Sequence, residues 1–100
     1  MALSIQQSQE YAGRDFWRWA VWIDGPHEEL DSIDHVVYIL HPTFHHPVRE
    51  VHDRQTNFRL ETSGWGAFTL HAKAVHRDGQ ETVLAHELEL LYPDGTPTLA

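Results

Sequence analysis

The chain has 100 residues and a formal net charge of −8, from 15 acidic and 7 basic side chains. This length predicts one domain with a modest core. A surface of this sign repels the phosphates of nucleic acids and anionic lipids. We therefore expect no nucleic-acid or membrane partner, although the charge could equally serve solubility alone. The absence of cysteine excludes disulfides and thiolate zinc sites and fits a reducing cytoplasm.

Alternating and β-branched patterns predict strands in the first half of the chain. Residues 1–13 lack the basic region and apolar run of a signal peptide, and residues 3–7 are predicted as a first strand. Residues 17–24 alternate between an apolar and a more polar face, which predicts a half-buried strand. Residues 28–34 can hold one helical turn, and the run at 33–40 predicts a strand covered on both faces, or nearly so.

The second half continues this pattern of short strands and turns. An extended piece is predicted at 48–51, a short strand at 58–61 and an alternating strand at 68–75. Asp78-Gly79 predicts a two-residue type I′ hairpin turn that leads into a strand at 82–92. Six to eight short strands predict an all-β fold with two packed antiparallel sheets, as a single domain over residues 1–100.

Two loop motifs resemble those of the YEATS domain family. They are Leu40-His41-Pro42-Thr43-Phe44 and Ser63-Gly64-Trp65-Gly66-Ala67-Phe68. The resemblance covers roughly residues 17–92, and the compact length is similar to the prokaryotic branch of the family. It implies an immunoglobulin-like β-sandwich that binds an acylated lysine, of the acetyl or crotonyl type, between these two loops.

The resemblance also implies a role for particular residues. Phe44 and Trp65 would be aromatic walls, because a flat acyl-amide stacks well on such faces. The Thr43 hydroxyl and the backbone N–H of Trp65 would bind the amide, so that neither of its polar groups is buried without a partner. His41 would line the pocket and orient Thr43.

Glycines and one further aromatic complete the implied pocket. Gly64 and Gly66 would let the backbone approach the ligand closely and make an unusual backbone conformation easy. Phe16 lies near the position of another pocket aromatic in the family but is displaced in register. We include it as a ligand-binding candidate.

Each of these residues also has a simpler structural interpretation. Trp65 and Phe44 could be core plugs on turns, and Thr43 could cap its own backbone. His41 could be a structural histidine with its hydrogen bonds satisfied. These alternatives stay open at the level of sequence.

Neither a metal site nor an active site is predicted. His41, His45, His46 and His52 lie within 12 residues, and imidazole is a common metal ligand, but their spacing matches no zinc motif. A triad could be assembled from Ser63, a histidine and an aspartate, but nine histidines make such a coincidence expected. We therefore expect no metal, no cofactor and no catalysis.

The sequence favours a binding module whose partner is an acylated-lysine peptide or protein. The alternative is a protein-interaction or structural sandwich domain of a bacterial signalling or defence system. That alternative predicts a filled site between the two loops. Its partner would bind at an edge strand or at the face that carries Trp22.

Overall fold

The computed structural model describes residues 3–98, which form a sandwich of two antiparallel β-sheets. The elements in chain order are β1 (Ser4–Gly13), β2 (Phe16–Asp24), α1 (His27–Asp31), β3 (Ile33–Ile39), β4 (Val48–Val51), a 3-10 turn (Arg54–Thr56), β5 (Leu60–Gly64), β6 (Thr69–His76) and β7 (Glu81–Glu87). One sheet has the order β1-β2-β5 and the other β4-β3-β6-β7. The predicted all-β sandwich is confirmed. Within the described residues, no helix is long and apolar enough to cross a membrane.

The core lies between the two sheets and follows the alternation of the strands. Side chains on successive positions point to opposite faces, so every second residue of β2 and β6 is buried. Ala20 is buried as well, although it lies on the more polar face of β2. The largest fully buried side chains are Trp17, Tyr38, Phe58, Ile23, Ile33, Leu70, Leu90, Val21 and Val36.

Side-chain amides of β1 join the two sheets along one edge. Gln7 donates to the carbonyl oxygen of Glu89 at 2.7 Å and accepts from its N–H at 2.9 Å. Gln9 accepts from the N–H of Leu91 at 3.1 Å. These amides take the place of backbone pairing, so the strand predicted at 82–92 ends at Glu87, while Leu88 and Leu90 stay buried.

Besides the end of the last strand, two local predictions are wrong, and β3 is less covered than predicted. Phe58 is buried in the left-handed region at φ 59°, so the strand predicted from residue 58 begins at Leu60. The outer face of β3 is only partly covered, since Ile39 is 37% exposed. The hairpin turn is type I, because only Gly79 has a positive φ and its N–H bonds to the carbonyl of His76 at 2.9 Å.

The strand pairing places the two loops that carry the YEATS-like motifs at the same end of the sandwich. β5 ends at Gly64, which pairs with Trp17 near the start of β2. β3 ends at Ile39, which pairs with His71 near the start of β6. Because the loop after β5 leads directly into β6, it meets the loop that follows β3.

Candidate functional site

An open cavity of about 470 Å³ lies between the loop after β3 and the loop after β5. Small-ligand sites commonly have volumes of about 300–1,000 Å³. All seven residues that the sequence predicts for ligand binding line this cavity. The full lining is Phe16, His41, Thr43, Phe44, His45, Ser63, Gly64, Trp65, Gly66, Ala67 and Phe68.

The first loop begins with a tight turn. The N–H of Phe44 donates to the carbonyl oxygen of His41 at 3.0 Å, which closes the four residues from 41 to 44. Pro42 occupies the second position, where its fixed φ favours such a turn. The turn projects Thr43 and Phe44 into the cavity wall directly after β3.

The base of the first loop is held by two further contacts. The N–H of Leu40 donates to the carbonyl oxygen of Pro47 at 2.7 Å, which brings the two ends of the loop together. The Arg49 guanidinium donates to the carbonyl oxygen of His45 at 2.9 Å and to that of His46. These contacts fix both ends of the loop and therefore hold the cavity wall in place.

Phe44 is a half-buried residue of the cavity wall, and its ring packs against two other aromatic rings. Its ring meets Trp19 edge-on, with centroids 6.1 Å apart, and Phe68 in a tilted contact at 5.5 Å. A Cβ at position 64 would lie 3.3 Å from Phe44 Cζ, which is tighter than ordinary contact. The close approach of this ring therefore explains glycine at position 64. Neither Gly64 nor Gly66 has a left-handed backbone, so the unusual conformation expected there is absent.

The hydrogen bonds of His41 define the chemistry of the Thr43 hydroxyl. His41 Nδ1 accepts the backbone N–H of Thr43 at 3.2 Å, so this nitrogen carries no proton. The Thr43 hydroxyl lies 2.8 Å from the same nitrogen and must donate to it. The oxygen lone pairs of Thr43 therefore stay available to accept a hydrogen bond.

Trp65 lines the cavity from the second loop with most of its surface in solvent. The residue is 60% exposed, so it is not the buried core plug that the sequence allowed. No other aromatic ring contacts it among the described residues. Its backbone N–H has no hydrogen-bond partner within residues 3–98, because β5 ends one residue earlier. An exposed indole and an available donor thus lie at the cavity mouth.

The cavity lining carries no carboxylate, ammonium or guanidinium group. Its titratable residues are the two imidazoles of His41 and His45. A charged ammonium placed there would lose hydration without gaining a counter-charge. The site therefore suits a neutral, flat, partly apolar group with one donor and one acceptor.

Four lining residues were not selected from the sequence. Ser63, Ala67 and Phe68 belong to the second motif itself. His45 follows the first motif directly. These four residues could have been predicted from their positions within or next to the motifs, since a loop that contributes one residue to a cavity wall commonly contributes its neighbours as well. Phe16, in contrast, was selected and lines the cavity with 40% exposure.

The four neighbouring histidines do not form one cluster. His41 and His45 line the cavity, whereas His52 lies beyond β4 and stacks on His35. Asp34, His35 and His52 form a separate group, in which a hydrogen bond from His35 lowers the pKa of the Asp34 carboxyl. The sequence pattern did not connect His35 with His52, because strand pairing alone brings them together.

Comparisons with known proteins identify the class of domain. The model of the prokaryotic YEATS domain family matches residues 17–89. Over 88 residues, the chain is 31% identical to transcription initiation factor TFIID subunit 14 of Schizosaccharomyces pombe (strain 972 / ATCC 24843). That match covers 85% of this chain but only 36% of the relative, so the chain spans about a third of that protein's length.

Solved structures share the same fold. The Yaf9 YEATS domain bound to H3K27ac has a TM-score of 0.68 at 22% identity, covering 96% of this chain and 75% of the other. The Yaf9 YEATS domain recognising an H3K122suc peptide has a TM-score of 0.66 at 24% identity, covering 97% and 73%. The fold is therefore that of a YEATS domain, with an immunoglobulin-like sandwich. This chain belongs to the prokaryotic YEATS domain family.

Proposed function

We propose that this domain is a non-catalytic reader of acylated lysine, or of a similar acyl-amide. The observation that carries the proposal is an open, uncharged cavity with aromatic walls between the two loops. The Yaf9 YEATS domain, which has the same fold, is bound to H3K27ac in one solved structure and recognises an H3K122suc peptide in another. The preferred natural partner is thus a peptide or protein that carries an acylated lysine.

Each polar group of the ligand has a partner in the cavity. The amide of an acylated lysine has one N–H donor and one carbonyl acceptor. Thr43 Oγ1 would accept the N–H, because its own proton is directed to His41. The backbone N–H of Trp65 would donate to the carbonyl. A buried amide left without either partner would cost about 1–3 kcal/mol, so both contacts contribute to recognition.

The aromatic walls account for selectivity over unmodified lysine. The acyl group and amide form a flat surface that stacks between Phe44 and Trp65, as aromatic faces favour. An unmodified lysine presents an ammonium ion, which the uncharged lining does not compensate. We therefore expect acylation to be required for binding.

The open cavity also weighs against the alternative of a purely structural sandwich domain. That alternative predicts a filled site between the loops. The cavity instead has a volume of about 470 Å³ and an exposed indole at its mouth. The alternative further predicts a partner at an edge strand or at the outer face of β2, where Arg59 lies over the Trp22 ring at 5.1 Å.

Calorimetric titration with acetyl-, crotonyl- and unmodified-lysine peptides tests the proposal. We expect saturable binding of the acylated peptides only, and its loss in Trp65→Ala. Trp22→Ala is the matched control, because it removes the same side chain from a different face. Equal binding by wild type and Trp65→Ala, or no binding of any acylated peptide, would contradict the proposal.

A further inference from the structure

A second group of polar side chains lies at the opposite end of β3 from the cavity. β3 ends just before His41, whereas His35 is near its start. Six residues of extended strand separate the two histidines, a span of about 20 Å. The group at His35 is therefore independent of the proposed acyl-lysine site.

Strand pairing brings two imidazoles together at this end. Val36 pairs with Val51 in the β3–β4 ladder, so the next positions along, His35 and His52, face each other. Their rings stack with centroids 5.0 Å apart and an interplanar angle of 23°. Val36 is buried, and alternation therefore directs His35 to the outer face of the sheet.

A β-bulge adds a carboxylate to the same face. The pairing of β3 with β6 shifts register between Ile33 and His35, which leaves Asp34 as an extra residue. Such bulges redirect side chains. Here the Asp34 carboxylate lies 2.8 Å from His35 Nδ1, although adjacent strand residues normally point to opposite faces.

Each imidazole lies beside a carboxylate. Asp34 contacts His35 Nδ1, and Glu50 contacts His52 Nε2, both at 2.8 Å. A metal ion bound by His35 Nδ1 and the Asp34 carboxylate would replace the proton that these two atoms share. His52 Nδ1 has no hydrogen-bond partner among the described residues, so it is available as a third ligand atom while Glu50 orients the ring.

We propose that Asp34, His35 and His52 form a binding site for a divalent transition-metal ion of the zinc type. One ligand atom from each side chain lies within 4.8 Å of the other two. Ligand atoms around tetrahedral zinc are about 3.3 Å apart, given bonds of about 2.0–2.1 Å. The side chains of Asp34 and His52 are 56% and 61% exposed, so they can rotate inward by this difference.

The chemistry of the donors defines the ion. Imidazole nitrogens with one carboxylate oxygen suit zinc and its neighbours in the first transition series rather than magnesium or calcium. Glu50 contacts His52 Nε2 and would orient that ring, and a water molecule would complete the coordination, as at zinc sites with three protein ligands. Because His52 follows β4 and the other two ligands belong to β3, the metal would link the four-residue edge strand β4 to β3. Binding to the folded state alone would also stabilise that state by mass action.

Zinc titration of the chelator-treated domain tests this site. We expect one equivalent of zinc to bind, the melting temperature to rise, and Co²⁺ to give the visible absorption of a tetrahedral site. His52→Gln and Asp34→Asn should each weaken zinc affinity by at least about tenfold. His52 is mostly exposed, so its replacement should leave the metal-free melting temperature unchanged.

Two other histidine positions serve as controls. His71→Gln removes an exposed imidazole from β6, and His46→Gln disrupts the adjacent pair His45 and His46, whose centroids are 4.1 Å apart. Both controls should bind zinc as the wild type does. Absence of zinc binding in the wild type would overturn the proposal. Equal affinity in His52→Gln, or loss of binding in His46→Gln instead, would also overturn it.

Discussion

Adding one methyl group at position 64, next to the Phe44 ring, should weaken ligand binding without unfolding the domain. In Gly64→Ala, the new Cβ would lie 3.3 Å from Phe44 Cζ and 3.7 Å from Trp19 Nε1. Carbon atoms pack best at about 3.5–4.0 Å, so the Phe44 ring must move by about 0.2–0.7 Å. Trp19 and Phe68 contact other parts of this ring, which leaves the cavity as the open direction.

The effect on the unfolding free energy should be small because two contributions oppose each other. Displacing a well-packed ring costs about 1–3 kcal/mol, and the half-exposed Phe44 belongs at the lower end of this range. Replacing glycine by alanine where the backbone is not left-handed contributes about 0.4–1 kcal/mol through the unfolded state. We expect a net loss of about 1 kcal/mol or less.

Ligand binding should respond more strongly. The Phe44 ring would move into space that a flat ligand occupies, so the ligand must shift, and a gap of about 0.5–1 Å removes a quarter to a half of the attraction between packed atoms. We expect acetyl-lysine peptide affinity to fall roughly tenfold, about 1.4 kcal/mol. Calorimetry gives the affinity, and urea unfolding gives the stability.

A double-mutant cycle with Phe44→Leu provides the control. If the methyl group acts through the Phe44 ring, Gly64→Ala should have little further effect once that ring is absent. Wild-type affinity in Gly64→Ala would refute the assignment of Phe44 as a wall. A loss of more than about 3 kcal/mol in unfolding free energy would refute the argument that this ring can move into the cavity.

Three further perturbations have defined outcomes. Tyr38→Phe should lower the unfolding free energy by about 1–3 kcal/mol, because the buried Tyr38 hydroxyl donates to the carbonyl oxygen of Phe58 at 2.7 Å; an unchanged melting temperature would contradict this. Arg49→Met should release the two loop carbonyls that Arg49 binds and weaken peptide affinity several-fold in calorimetry, with little change in urea unfolding. Burial lowers the pKa of His86 below its ordinary value of 6.5, so the unfolded chain binds this proton more readily. The stability contributed by neutral His86 is therefore complete above pH 6.5 and declines as the pH falls through the lower folded pKa. His86→Gln should reduce this decline in urea midpoints, and an identical pH profile in wild type and variant would contradict the assignment.

Much of the fold could be predicted because local pattern and tertiary burial agree. In β2 the alternation of Trp17 and Trp19 with polar residues matches the sandwich directly. In β1 the inward positions include Gln7 and Gln9, whose amides bind a neighbouring backbone. Polar residues at inward positions interrupt the alternation of apolar and polar residues by which a strand is predicted. The strand predicted for β1 therefore ended at residue 7.

Most residues that line the cavity could be predicted from the two loop motifs, whereas Phe16 belongs to neither motif. The motifs contain Trp65 without indicating whether its indole is buried or exposed, because that depends on tertiary geometry. Gly64 illustrates the same dependence, since its role is to admit the Phe44 ring from a distant loop. The group at Asp34 and His52 required both a strand register and a bulge, neither of which a single sequence specifies.

Amide chemical-shift mapping with an acetyl-lysine peptide tests the central claim most directly. Our account predicts that the backbone amides of Gly64, Trp65 and Gly66 shift on titration, together with that of Thr43. The unmodified peptide should leave them unchanged. Shifts centred on Trp22 or on an edge strand, or identical shifts with both peptides, would contradict the account.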